Sequence, residues 1–194
     1  MASQGKDGQL ISQVRQGDLV ALGVLYRRHK TQVFRIALAI TRDPTAAEDI
    51  LQECFLRLYA AIDRFDETRP LLPWLYRVTV NLSYNWVTRR NRWLSPLEDA
   101  VERLQAGPKS SPERSVERNE LQRIVREALD SLKFEHRAVL VLFYLGGFSV
   151  KEIAHVLDLP AGTVKSRLHY GRERLRRRLE GDSRVRGGVA YEFS

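Results

Sequence analysis

The chain reads as an all-α protein made of two small helical units joined by a flexible linker. Three observations lead there: apolar residues recur near helical spacing on both sides of the middle, strand-like alternation is absent, and the middle collects three of the seven prolines. Its 194 residues fit one domain or two small ones on a prior of roughly 100–200 residues each. Hydrophobic residues make up 43% and charged residues 29%, a mix that can bury a core.

In chain order, Leu19, Leu22, Leu25, Tyr26, Val33, Ala37 and Ile40 fall on one side of an amphipathic helix. Asp43-Pro44 then offers an N-cap with proline at the first helical position, and Thr45 with Glu48 a capping box, opening a helix to about Ala61. A proline-rich loop, Phe65 to Pro73, precedes a third helix from about Trp74 to Arg90, with Leu75, Val78, Leu82 and Trp86 inside. Residues 95–118 break helices and lack apolar area, so they read as the linker between units 1–94 and 119–180. Fully extended, that linker reaches about 80 Å at roughly 3.4 Å per residue. Helices near 115–131, 135–145, 149–157 and 161–179 follow, and residues 181–194 form a tail.

Composition removes several function classes. The single cysteine, Cys54, excludes an internal disulfide and a clustered-thiolate metal site. His29, His136, His155 and His169 are dispersed without metal-ligand spacing, and no paired acid and base groups stand out, so no catalytic residue, metal or cofactor is expected. The polar start, Met1 to Leu10, shows no signal peptide, and no apolar run approaches the roughly 20 residues of a bilayer crossing. A cytoplasmic protein is expected. The net charge of +8, carried by two basic blocks around a weakly acidic middle, asks for an anionic partner.

The sharpest local pattern lies near the C-terminal end. Ser149 and Glu152 form a capping box, Asp158-Leu159-Pro160 makes a turn, and a longer helix begins near Ala161, which together spell a helix-turn-helix. Ala154 is small where the two helices cross, and Asp158 tolerates the left-handed backbone that the turn needs. The second helix buries Val164, Leu168, Leu175 and Leu179 and presents Lys165, His169, Arg172 and Arg176 as one stripe. Recognition helices read bases from their first turns and phosphates further along. Lys165, Ser166, His169 and Tyr170 are therefore candidate base readers, and Arg167, Arg172 and Arg176 candidate phosphate contacts. A membrane-surface binder would need the apolar face that the core takes.

Two surfaces of the first unit remain. Asp49, Gln52, Glu53 and Leu56 share a helical face opposite Ile50, Cys54 and Leu58. That acidic face repels DNA and suits a basic protein surface. On the third helix Arg77, Asn81, Tyr84, Thr88 and Arg92 make a polar stripe flanked by Asn85 and Arg89, able to stack unpaired bases, bond their edges and hold phosphates.

Three segments carry a family resemblance: Thr45-Ala-Ala-Glu-Asp-Ile-Leu-Gln-Glu-Cys-Phe55, Pro73-Trp-Leu-Tyr-Arg-Val-Thr-Val-Asn81 and Gly162-Thr-Val-Lys-Ser-Arg-Leu168. Their order and the linker between them resemble the extracytoplasmic-function sigma factors of bacterial RNA polymerase, over roughly Leu10 to Leu179. The resemblance implies a sigma-2 domain over 1–94 and a sigma-4 domain over 119–180. It implies that Asp49, Gln52, Glu53 and Phe55 dock on the polymerase clamp helices, while sigma-4 sits on the flap and reads the −35 duplex. It further implies that the loop before Trp74, with Arg69, and the helix bearing Arg77, Asn81, Tyr84, Asn85 and Arg89 hold the −10 strand with one base flipped. An anti-sigma factor is the implied regulator. The alternative from the residues alone is a dimeric helix-turn-helix repressor or activator, which leaves the acidic face and the Asn/Tyr/Arg stripe unassigned.

Overall fold

The structure, a computed structural model, describes residues 4–93, 124, 127–129 and 131–180, and the described residues form helices without strands. The expected linker, the tail 181–194, Arg92 of the polar stripe and most of the helix expected near 115–131 lie outside the described side chains; Ile124 and residues 127–129 are helical. The first unit contains α1 (Gln4–Arg15), α2 (Leu19–Thr41), α3 (Pro44–Ala60), a 3₁₀ turn (Ile62–Arg64) and α4 (Leu71–Trp93). The second contains α5 (Phe134–Tyr144), α6 (Val150–Leu157) and α7 (Ala161–Glu180).

The α1 helix has no counterpart in the periodicity. Two glycines and few apolar residues hide it, yet Ile11 and Val14 are buried with Leu25, Leu58, Leu71 and Leu75. Gly8 permits the crossing, because a Cβ there would stand 2.7 Å from the Glu67 carbonyl oxygen. Buried Asp7 ties α1 to α2, taking a hydrogen bond from Arg28 and lying 3.0 Å from His29 Nε2. Arg15 donates to the Phe65 carbonyl at 2.8 Å and pairs with Glu67 at 3.1 Å, so α1 also anchors the loop that leads to α4.

Caps set the boundaries of α2 and α3. Asp18 accepts from the Val20 and Ala21 amides, and Leu19, placed by its spacing in the apolar stripe, points to solvent instead. The core begins within the first turn, at Ala21, and continues with Leu25. Arg42 ends α2 at φ 65°, a left-handed residue that turns the chain directly into α3. There Asp43 accepts from the Ala46 amide with Pro44 at the first helical position, so Asp43 caps α3 and no Thr45–Glu48 box forms. The α4 helix starts at Leu71, before the expected Trp74: Pro73 lies in the first turn, where no intrahelical amide donor is required.

Thr79 and Ser83 are buried on α4 because each hydroxyl donates to the carbonyl one turn back, at 2.7 and 2.8 Å. Cys54 faces Thr79 from α3, and burial pushes its thiol up to about 11. A thiol so protonated is inert.

The two units are present as expected, but they share a core. Ile36, Ile40, Tyr76 and Val80 of the first unit cluster with Leu140, Leu142, Phe148, Ile153, Val156 and Leu168 of the second. Tyr76 is 2% exposed and meets Phe148 edge to face at 5.2 Å.

Candidate nucleic-acid interface

The second unit builds its helix-turn-helix as the residues foretell. Ser149 Oγ accepts from the Glu152 amide at 3.3 Å, and the Glu152 carboxylate accepts from the Ser149 amide and hydroxyl at 2.8 and 2.7 Å. Those bonds from Ser149 hold the Glu152 carboxyl below its ordinary range. Asp158 adopts φ 56°, ψ 51° and closes α6. Val164 and Leu168 then seat α7 on the core, and Gly171 lets it cross α5, where a Cβ would stand 2.8 Å from Leu140 Cδ1. Nothing in the local pattern of α7 singles out Gly171, whose role comes from α5 lying against it.

Opposite that seat, Lys165, Ser166, His169 and Tyr170 are exposed together on one side of α7, and Arg167 is half-buried. Ser166 donates its hydroxyl to the Thr163 carbonyl at 2.9 Å, leaving its oxygen to accept. The two arginines further along are less free than their spacing suggests. Arg172 donates to the Tyr144 hydroxyl at 2.9 Å and lies over the rings of Phe143 and Tyr144 at 5.0 and 5.5 Å. Arg176 bridges Glu173 and Glu180 at 3.2 and 3.3 Å, and Arg177 also binds Glu173 at 2.8 Å. The paired guanidinium groups hold the Glu173 carboxyl below its ordinary range. Glu173 and His136 are neighbours that spacing missed: with His169, Tyr170, Arg174 and Arg178 they line a shallow cleft of about 790 Å³ beside α7.

On α4, Asn81, Tyr84, Asn85 and Arg89 are exposed along the expected stripe. Its first residue and its middle touch the second unit. Arg77 Nε donates to the Val156 carbonyl at 3.0 Å with a further guanidinium nitrogen 3.8 Å from Asp158, and the Tyr84 ring meets Phe134 edge to face at 5.1 Å. In the preceding loop Asp66 accepts from the Thr68 hydroxyl and amide and from Arg69 Nε, which keeps its carboxyl low. Trp74 is half-buried against Phe65 at 5.8 Å. Between this loop, the start of α4 and α6 lies a cleft of about 830 Å³, walled by Phe65, Arg69, Trp74, Arg77, His155 and Val156.

The third surface is on α3. Asp49 and Gln52 are exposed, Glu53 is half-buried and bonded to Arg57 at 2.8 Å, and Leu56 is 64% exposed beside them. Phe55 is 6% exposed and lies under this face, edge to face with Tyr26 at 5.0 Å. Leu56 and Tyr59 add an apolar component to an otherwise acidic surface. Among the described residues no group of metal-ligating side chains converges, and no helix is long and apolar enough to cross a membrane.

Comparison with known proteins bears on these surfaces. Residues 25–93 match the family model for Sigma-70 region 2, and residues 122–175 match that for Sigma-70, region 4. The chain is 33% identical over 176 residues to the ECF RNA polymerase sigma factor SigW of Bacillus subtilis, covering 87% of this chain and 94% of that protein. It is 32% identical over 190 residues to the ECF RNA polymerase sigma-E factor of Haemophilus influenzae, covering 93% and 98%. Its structure is similar to that of CnrH, solved in complex with the cytosolic domain of CnrY, with a TM-score of 0.68 at 28% identity over 92% of this chain and 99% of that one.

Proposed function

Because this chain belongs to the ECF RNA polymerase sigma factors, we propose that it joins core RNA polymerase and directs promoter-specific initiation, reading a −35 duplex with α7 and a −10 single strand with α4. In this reading residues 1–94 are the sigma-2 domain and 119–180 the sigma-4 domain. Asp49, Gln52, Glu53 and Leu56 form the docking face for the clamp, with Phe55 as its buried support. No chemistry falls to this chain; the polymerase performs it.

One observation carries the reading. A capped helix-turn-helix with Lys165, Ser166, His169 and Tyr170 exposed stands on the same chain as an acidic face on which DNA cannot dock. A free-standing repressor has no use for the second surface. Opening duplex DNA sacrifices stacking of about 1.4 kcal/mol per step. An aromatic platform returns about 1–3 kcal/mol per stacked base, and Tyr84, flanked by Asn81 and Asn85, supplies one on α4. A cleft lined by Trp74, Phe65, Arg69 and Arg77 has room for an everted base and cations for its phosphate. Regulation by an anti-sigma factor in the cytoplasm is consistent with the likeness to CnrH, whose structure was solved with a partner's cytosolic domain.

In vitro transcription with purified core polymerase on a library of genomic fragments tests the proposal. Defined start sites that depend on the added chain are expected. A chain that binds palindromic duplex as a dimer, and starts no transcript with core enzyme, would refute it.

A further inference from the structure

The loop between the 3₁₀ turn and α4 walls the cleft that has room for an everted base, and α1 holds that loop from behind. Gly8, Ile11 and Arg15 recur at i, i+3 and i+7, so they share one face of α1. Ile11 is fully buried in one cluster with Ile62, Phe65 and Leu71. At one end of this face Gly8 lets the helix close on the loop backbone, since a Cβ there would stand 2.7 Å from the Glu67 carbonyl oxygen. At the other end the Arg15 guanidinium donates to the Phe65 carbonyl at 2.8 Å, to the Ile62 carbonyl at 3.4 Å and to the Glu67 carboxylate at 3.1 Å. The cleft itself is walled by the opposite side of the loop, with Phe65, Asp66, Arg69 and Trp74, and among the described residues α1 adds nothing to its lining.

We infer that α1 is a brace for −10 recognition, in which Arg15 is a positioning residue: it fixes the Phe65–Glu67 backbone, and thereby the shape of the cleft that discriminates among bases. The inference deepens the reading of that cleft given above and rests on it. Arg15 acts through the loop rather than on the strand. Its planar fork serves three acceptors at once, and charge-assisted bonds of this kind are stronger than neutral ones. The Phe65 ring packs edge to face on Trp74 at 5.8 Å, so a shift of the carbonyl that Arg15 holds moves a wall of the cleft. Asp66 carries the constraint onward, accepting from the Thr68 amide and from Arg69 Nε. The brace is anchored in turn: buried Asp7 takes a hydrogen bond from Arg28, and Val14 is 2% exposed. Discrimination needs groups held to within about 0.5 Å, whereas attraction of a phosphate does not. Loss of Arg15 should therefore cost selectivity more than affinity.

The test uses holoenzyme made with the full chain and a promoter drawn from the genomic library. Abortive initiation is measured on templates carrying each of the four bases at every −10 and −35 position. A well-formed site penalises a wrong base by about 5- to 150-fold. Arg15→Ala should reduce that ratio about tenfold at one −10 position and leave the −35 ratios unchanged. Arg15→Lys keeps the charge beside Glu67 and loses the fork, so it should recover little of the selectivity; it also serves as the milder variant if the alanine chain does not fold. In the free chain, hydrogen exchange at the amides of residues 65–69 should quicken about tenfold in either variant, with the buried amides of α2 to α4 unaffected. An equal loss of rate on all templates marks a merely structural role and overturns the inference. Unchanged loop exchange overturns it too, as does full recovery of selectivity with lysine. Arg69→Ala separates the two failures. If it flattens the −10 ratios while the Arg15 variants do not, only the brace is wrong; if neither does, the reading of the cleft falls and the brace with it.

Discussion

Lys165 and Arg176 lie on one stripe of α7, but their surroundings differ. Lys165 projects from the first turns, where base edges are reached, and Lys165→Ala should relax −35 preference by about 1–3 kcal/mol at the base it reads. Arg176 is held between Glu173 and Glu180. Arg176→Ala should therefore lower the salt slope of duplex binding by less than the roughly one unit of a free phosphate contact. Glu173→Gln should steepen that slope by releasing the guanidinium groups it now pairs, which anisotropy titrations over a salt series would show. On α3 the same logic separates neighbours. Asp49→Arg with Glu53→Arg should abolish co-elution with core polymerase and lower the melting curve only slightly, because Asp49 is exposed and Glu53 gives up only its partly exposed i,i+4 pair with Arg57. Phe55→Ala removes a buried ring from the core and should cost about 3–5 kcal/mol in a denaturant melt. The spacing of Asp49, Gln52 and Glu53 was readable from the chain, whereas the burial of Phe55 depends on Tyr26, a residue of another helix.

The local devices that begin and end helices are testable one by one. Ser149→Ala should cost about 1 kcal/mol through loss of the cap. Glu152 has a folded-state pKa lowered by its bonds to Ser149, so its contribution is complete above the ordinary glutamate range and is lost as pH falls through the lowered value. The melting gap between the natural chain and Glu152→Gln should close over that acidic window and stay constant above it. Asp158→Gly should be tolerated at the left-handed turn, whereas Asp158→Val should cost about 1–2 kcal/mol. Gly171→Ala should destabilise by about 1–3 kcal/mol by overpacking on Leu140. Gly162→Ala is its control, since nothing lies within 4 Å of the added carbon.

At the scale of the molecule the shared core governs behaviour. Tyr76 and Val80 join the two units, so the free chain should unfold in one calorimetric transition, and Val80→Gln with Phe134→Gln should split it into two. Much of the architecture could be read along the chain. The apolar spacing of α2 to α7, the cap on α3, the Ser149–Glu152 box, the left-handed Asp158 and the composition of each surface are properties of residues close in sequence, where helix periodicity and capping chemistry act. What folding alone settled involves residues far apart. The α1 helix has little periodicity of its own and owes its place to Asp7, Ile11, Val14 and Arg15 finding partners on α2, α4 and the loop near Phe65. Gly8 and Gly171 acquired their meaning from Glu67 and Leu140. The contacts of the second unit with Arg77 and Tyr84 join segments separated by a long connection, and packing between such segments leaves no mark on the local pattern of either.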